Sequence, residues 1–156
     1  KNAAASLTRQ LTRNGFKKYY EAMAEGTPPA ASGTLTDYLI RDGRTNCSTV
    51  CSPDTLGSKK AVLEYQVLAQ YETNGKCLSH LRIQLQTGRH HQIRVQFSHA
   101  GCPLFGDRKY NPDGIPVSRL YLCACQLDFL HPSTGKLLHF EIQPFFYEEF
   151  DKSSPS

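Results

Sequence analysis

The stretch Leu85-Gln86-Thr87-Gly88-Arg89-His90-His91-Gln92-Ile93-Arg94 sets two arginines and two histidines directly after an alternating apolar run. A strand, a glycine turn and then a helix is the expected local plan. Backbone N–H groups and partial positive charge at a helix N-terminus hold phosphate, and Arg89 can add a bidentate contact. Arg94 falls about one turn further in, on a helix otherwise packed by Ile93 and Phe97, where a buried guanidinium needs a carboxylate partner. The bland alternative is an amphipathic helix whose charges are merely solvated. A metal reading of His90, His91 and His99 is weak, because the helix holds no HExxH arrangement and no acid.

Several elements must position this segment. Ala3 to Leu11 reads as a short helix closed by Asn14-Gly15, and Phe16 to Ala24 as a strand ended by Gly26 and Pro28-Pro29. Residues 25–58, with turn formers at Gly33, Gly43, Pro53 and Gly57, are expected to be the loosest region. Leu63, Tyr65 and Val67 alternate with polar residues, as do Leu81, Ile83 and Leu85, and Asn74-Gly75 between them supplies a hairpin turn. His90 to Ala100 takes helical spacing and Gly101 follows as its cap. A Pro/Gly-rich connection runs from Cys102 to Pro116. Tyr121 to Phe129 and Leu138 to Ile142 then form a second hairpin about His131-Pro132-Ser133-Thr134-Gly135. Hairpins with helices inserted between them argue for an α+β fold on a mostly antiparallel, mixed sheet. Residues 1–150 form one unit and 151–156 a frayed tail.

The 156 residues suffice for one sizeable core, and 39% hydrophobic with 21% charged residues is ordinary for a soluble globular chain. No apolar run approaches the ~20 residues that span a bilayer. The net charge of +4 is unevenly placed. Residues 1–20 carry Lys1, Arg9, Arg13, Lys17 and Lys18 with no acid; residues 79–112 carry Arg82, Arg89, Arg94, Arg108 and Lys109 against Asp107 alone. Such segments suit a polyanion-facing surface. The six cysteines contain no CxxC pair, so reduced thiols in the cytoplasm are expected rather than a zinc site.

These residues also carry a resemblance. Leu85 to Arg94, read as L-x-T-G-R-x-H-Q-I-R, resembles the signature of RluA-type RNA pseudouridine synthases. His99 to Tyr110 is similar to that family's H-x-G-x-P-x-x-G-D-x-x-Y. Lys18-Tyr19-Tyr20-Glu21-Ala22 with Gly26 resembles its K-x-Y-x-A-x-x-x-G strand, and Phe129 to Gly135 its F-x-H-P-x-T-G hairpin. Gln96 and Cys102 stand where family members often have His, with no loss of chemistry. The family's R-L-D-x-x-T-S-G motif, which bears the catalytic Asp, does not occur in these residues.

The resemblance implies an enzyme that isomerises a flipped-out uridine of rRNA or tRNA to pseudouridine without metal or organic cofactor. It assigns Tyr20 to stacking on the base and assistance at C5, and Arg94 to pairing with the catalytic Asp. RNA contacts are expected from Arg89, His90, His91, Gln92, Arg108 and Lys109, and a pocket floor from Ile93. Asp107, the one acid of the basic segment, reads as a structural turn. The chain is thus expected to be the C-terminal part of a catalytic domain, inactive by itself and prone to self-association. The alternatives are a noncatalytic RNA-binding remnant of the same fold and a zinc hydrolase built on the His and Cys residues.

Overall fold

The computed structural model describes residues 2–12 and 15–150, so the reading of Asn14 as a cap and of 151–156 as a tail falls outside it. Helix α1 (Asn2–Thr12) leads into β1 (Lys17–Glu25). Gln10 docks α1 on the far end of the sheet: its Nε2 donates to the Leu130 carbonyl at 2.7 Å and its Oε1 accepts the Leu130 N–H at 2.8 Å.

Residues 25–58 are not the loose segment their glycines and prolines suggested. They build β2 (Ser32–Asp42) and β3 (Cys47–Cys51), which pair antiparallel from Tyr38↔Cys51 to Asp42↔Cys47. The connection is tight because Asp42 Oδ1 accepts the Arg44 N–H and Asn46 takes a left-handed φ of 52°. β4 (Lys59–Thr73) and β5 (Lys76–Leu85) form the expected hairpin, with Asn74 and Gly75 both at positive φ in its turn. After α2 (Gln92–His99), β6 (Leu122–Leu130) and β7 (Leu137–Glu141) form the second hairpin, and α3 (Tyr147–Phe150) follows. Among the described residues seven strands lie in the order β3-β2-β4-β5-β1-β6-β7, and their pairings are antiparallel.

Strand alternation divides the core between the two faces of this sheet. On one face Ala22, Ala24, Leu63, Tyr65, Leu81 and Ile83 receive Ile93 and Phe97 of α2. The two alanines leave room for the helix, and each large side chain buried there contributes about 2 kcal/mol. On the other face Met23 and Leu78 pack with Phe105, Tyr121 and Phe146. A third cluster of Leu39, Ala61 and Val95, with Val50 and Tyr110 against it, joins the β2–β3 hairpin to α2. Among the described residues no helix is long and apolar enough to cross a membrane.

Candidate functional site

The turn between β5 and α2 is held by a buried polar network. Thr87 Oγ1 accepts the Val62 N–H at 2.9 Å and donates to Gln92 Oε1 at 2.8 Å. The same Gln92 oxygen accepts the Arg89 N–H at 2.9 Å, while Gln92 Nε2 donates to the Val62 carbonyl at 3.1 Å. Gln92 is buried, and its amide is occupied in shaping the turn. The network also shortens the helix. α2 begins at Gln92 rather than His90, and His91 precedes it in a left-handed conformation, φ 53°. Arg89, His90 and His91 therefore lie on the approach to α2 and not within its first turn.

Arg94 projects from α2 to the loop that follows it. Its Nε donates to Asp107 Oδ2 at 2.9 Å and its Nη2 to Asp107 Oδ1 at 2.8 Å. The carboxylate partner that Arg94 requires is thus supplied within these residues. The Asp107 side chain is fully buried, whereas that of Arg94 is 20% exposed. Burial alone would raise the Asp107 pKa, but the hydrogen bonds from Arg94 and from the Tyr110 and Lys109 N–H groups outweigh it and hold the carboxyl below its usual range. Those bonds in turn keep Arg94 protonated. The turn that presents Asp107 demands glycine at 106: φ is 81°, and a Cβ there would lie 1.9 Å from the Arg119 carbonyl oxygen.

The β2–β3 hairpin reaches the same place, which the sequence reading missed. His90 Nδ1 meets Ser48 Oγ at 2.8 Å and His90 Nε2 meets Asn46 Oδ1 at 2.9 Å. The His90 and His91 rings stack with centroids 3.8 Å apart. Burial, then the charge of Arg94, pushes His91 down to about 4; burial and the nearby Arg41, Lys109 and Arg94 lower His90. Both rings are neutral at pH 7. Lys109 is exposed and its Nζ donates to the Asn46 carbonyl at 2.9 Å; Arg108 is exposed beside it. Arg89 donates from Nε to the Lys60 carbonyl at 2.8 Å. Between the β2–β3 hairpin and the turn that precedes α2 lies a groove of about 530 Å³ whose walls include Arg41, Ser48, Lys59, Arg89 and His90 and no acidic side chain.

Tyr20 stands on β1, paired with Ile83 on one side and Ala124 on the other. It packs half-buried against the cluster that contains Ile93, and burial raises its phenol pKa. Ile93 itself is buried in that cluster, one residue before Arg94. Tyr20 and Ile93 thus share one cluster, and Arg94 is the next residue of α2. Asp107 and Tyr110, both inside a motif visible in the sequence, are site residues that no spacing rule joined to Arg94.

Known proteins resemble the chain along most of its length. The profile of a family described as RNA pseudouridylate synthase matches residues 1–99. A Chloroflexus aurantiacus protein called an uncharacterized RNA pseudouridine synthase is 36% identical over 140 residues, covering 88% of this chain and 42% of that protein. Ribosomal large subunit pseudouridine synthase D of Neisseria meningitidis serogroup B is 34% identical over 151 residues, covering 89% of this chain and 38% of that protein. The chain thus spans less than half the length of these relatives. The solved structure of human RNA pseudouridylate synthase domain containing 1 superposes with a TM-score of 0.79 at 24% identity, covering 97% of this chain and 64% of that one, which establishes the shared fold.

Proposed function

Because the chain belongs to the RNA pseudouridylate synthase family, we propose that it forms the C-terminal part of the catalytic domain of an enzyme that isomerises uridine to pseudouridine in rRNA or tRNA. The observation that carries this reading is the Arg94 guanidinium. Two of its nitrogens are committed to Asp107, while its side chain is partly exposed and Nη1, which has no hydrogen-bond partner among the described residues, remains for a second carboxylate.

In the reaction the bond from uracil N1 to ribose C1′ breaks, the base turns, and a bond from C5 to C1′ forms; C5 loses a proton and N1 ends with one. Arg94 keeps the catalytic Asp of an R-L-D motif ionised, a motif these 156 residues do not contain. Asp107 does not serve as that nucleophile, because its carboxylate is enclosed and saturated. Tyr20 stacks on the extruded base, and Ile93 supports the pocket floor beneath it. Arg89, His90, His91, Arg108 and Lys109 meet the RNA backbone.

The enzyme works in the cytoplasm with its thiols reduced. These 156 residues alone do not turn uridine over, and they self-associate through the apolar edge at β7, where Leu137, Phe140 and Ile142 are exposed. Tritium release from 5-labelled uridine RNA tests the activity. A chain extended through an R-L-D motif releases tritium if the reading holds, and RNA binding without release supports the noncatalytic alternative.

A further inference from the structure

We infer that Tyr110 is a positioning residue that couples the β2–β3 hairpin to the Arg94 guanidinium. The geometry stands by itself; its consequence for turnover rests on the proposed function above.

Tyr110 is engaged on every side. Its ring centroid lies 5.0 Å from Arg94 Cζ, beneath the guanidinium that Asp107 grips from the edge. Its N–H donates to Asp107 Oδ1 at 3.1 Å, and its carbonyl accepts from Ser98 Oγ at 3.0 Å. Loop, helix and ring thus share one frame with Arg94. The hydroxyl faces the other way, toward the hairpin. It accepts the Ser48 N–H at 2.9 Å and lies 2.7 Å from His91 Nδ1. With the neutral His91 ring in its Nε2–H tautomer, the single proton of the hydroxyl goes to Nδ1.

Ser48 belongs to β3, the edge strand of the sheet, 62 positions before Tyr110 in the chain. β3 pairs on one side only, so the Tyr110 hydroxyl supplies a partner for a backbone N–H on its outer side. Ser48 Oγ against His90 Nδ1 adds a second tie at the same residue. The hairpin so held brings Arg41 to the groove it shares with Lys59, Arg89 and His90. Like charges on both walls, with no acid between them, fit a phosphodiester. A strand bound there is set in register with Arg94, because one tyrosine fixes both.

The test uses Tyr110→Phe, Tyr110→Leu, His91→Leu and His91→Asn. Cys47, at the start of β3, reports hairpin release by its alkylation rate relative to Cys77 in β5, read by peptide mass mapping of the 156-residue chain. Losing the hydroxyl's bonds in Tyr110→Phe is expected to raise the Cys47/Cys77 rate ratio and weaken affinity for a structured RNA, each by about fivefold. His91→Asn tolerates the left-handed backbone and offers Oδ1 in place of Nδ1, so it restores most of both relative to His91→Leu. In a chain extended through an R-L-D motif, Tyr110→Phe raises KM more than it lowers kcat. Tyr110→Leu, which also removes the ring from Arg94, lowers kcat as well. A merely structural tyrosine gives the opposite pattern: kcat falls with the folded fraction at constant KM, and the two thiols speed up together. That pattern overturns the inference. If Tyr110→Leu does not fold, Tyr110→Phe and His91→Asn decide. If the extended wild-type chain releases no tritium, the functional reading fails, and the Cys47/Cys77 ratio still decides the positioning role.

Discussion

Arg94 and Asp107 form an asymmetric pair: the carboxylate is sealed inside the protein, while the arginine side chain that grips it is partly exposed. The asymmetry has an energetic consequence. Removing Arg94 strands a buried charge, whereas removing Asp107 frees a cation that can turn to water. Arg94→Met is expected to destabilise the fold by about 3 kcal/mol and Asp107→Asn by about half as much. Urea unfolding of both single variants and the double variant checks the order and the coupling. Arg94→Lys retains charge and loses the fork, and should fall nearer to Met than to wild type.

Gln92 offers a second stability test, with the opposite meaning for RNA. Gln92→Leu leaves the Arg89 N–H and Thr87 Oγ1 without the oxygen they use, at a cost of about 2 kcal/mol. Affinity for RNA, corrected for the folded fraction, should hold. A specific loss of affinity at full folding would mean that the amide leaves the turn to meet RNA.

RNA binding should weaken steeply with salt. Each phosphate contact contributes about 0.7 to 0.9 to the slope of log affinity against log salt, so Lys109→Ala and Arg89→Ala should each flatten it by about that amount. Filter binding across a salt series reads this directly. Arg94→Met should leave the slope unchanged, because the guanidinium is committed to carboxylate and not to phosphate.

Acid should loosen the junction of hairpin and helix. His91 titrates at about 4 in the folded chain against 6.5 ordinarily, so between those values the unfolded state binds the extra proton. Its contribution to stability is therefore complete above about pH 6.5 and is lost as pH falls toward 4. His90, also lowered, acts in the same direction. Thermal unfolding midpoints measured from pH 7 to pH 4 should fall less in His91→Asn than in wild type.

Much of this architecture is legible in the residue pattern, and the exceptions have physical causes. Asn74-Gly75 sits between alternating runs, and only a hairpin with two positive φ values uses that pair so well. His131-Pro132-Ser133-Thr134-Gly135 is similarly self-contained, because His131 Nδ1 accepts the Ser133 and Thr134 N–H groups. β2 was hidden because Asp37 occupies its inward row with Leu35 and Leu39, where it looks like a break. Gln96 on α2 satisfies it, Nε2 to Oδ2 at 2.9 Å, a partner that no local pattern announces. The start of α2 was misplaced because His91 adopts a conformation that histidine seldom takes unaided; the Thr87–Gln92 network imposes it. In the candidate site, Arg94 was recognisable as a cation in need of an anion. Its partner was not, since a turn at Gly106 folds Asp107 back onto the helix thirteen positions after Arg94.

If Arg94 and Tyr20 belong to a uridine-isomerising site, tritium release from 5-labelled uridine in a structured RNA depends on both. Four proteins suffice: this 156-residue chain, a version extended through an R-L-D motif, and that version with Arg94→Met or Tyr20→Leu. The expected result is release by the extended chain alone, with each substitution slowing it at least about a hundredfold, the scale of losing a group that positions or stabilises the reacting centre. Release by the 156 residues themselves, or full activity in the Arg94→Met variant, would contradict that assignment.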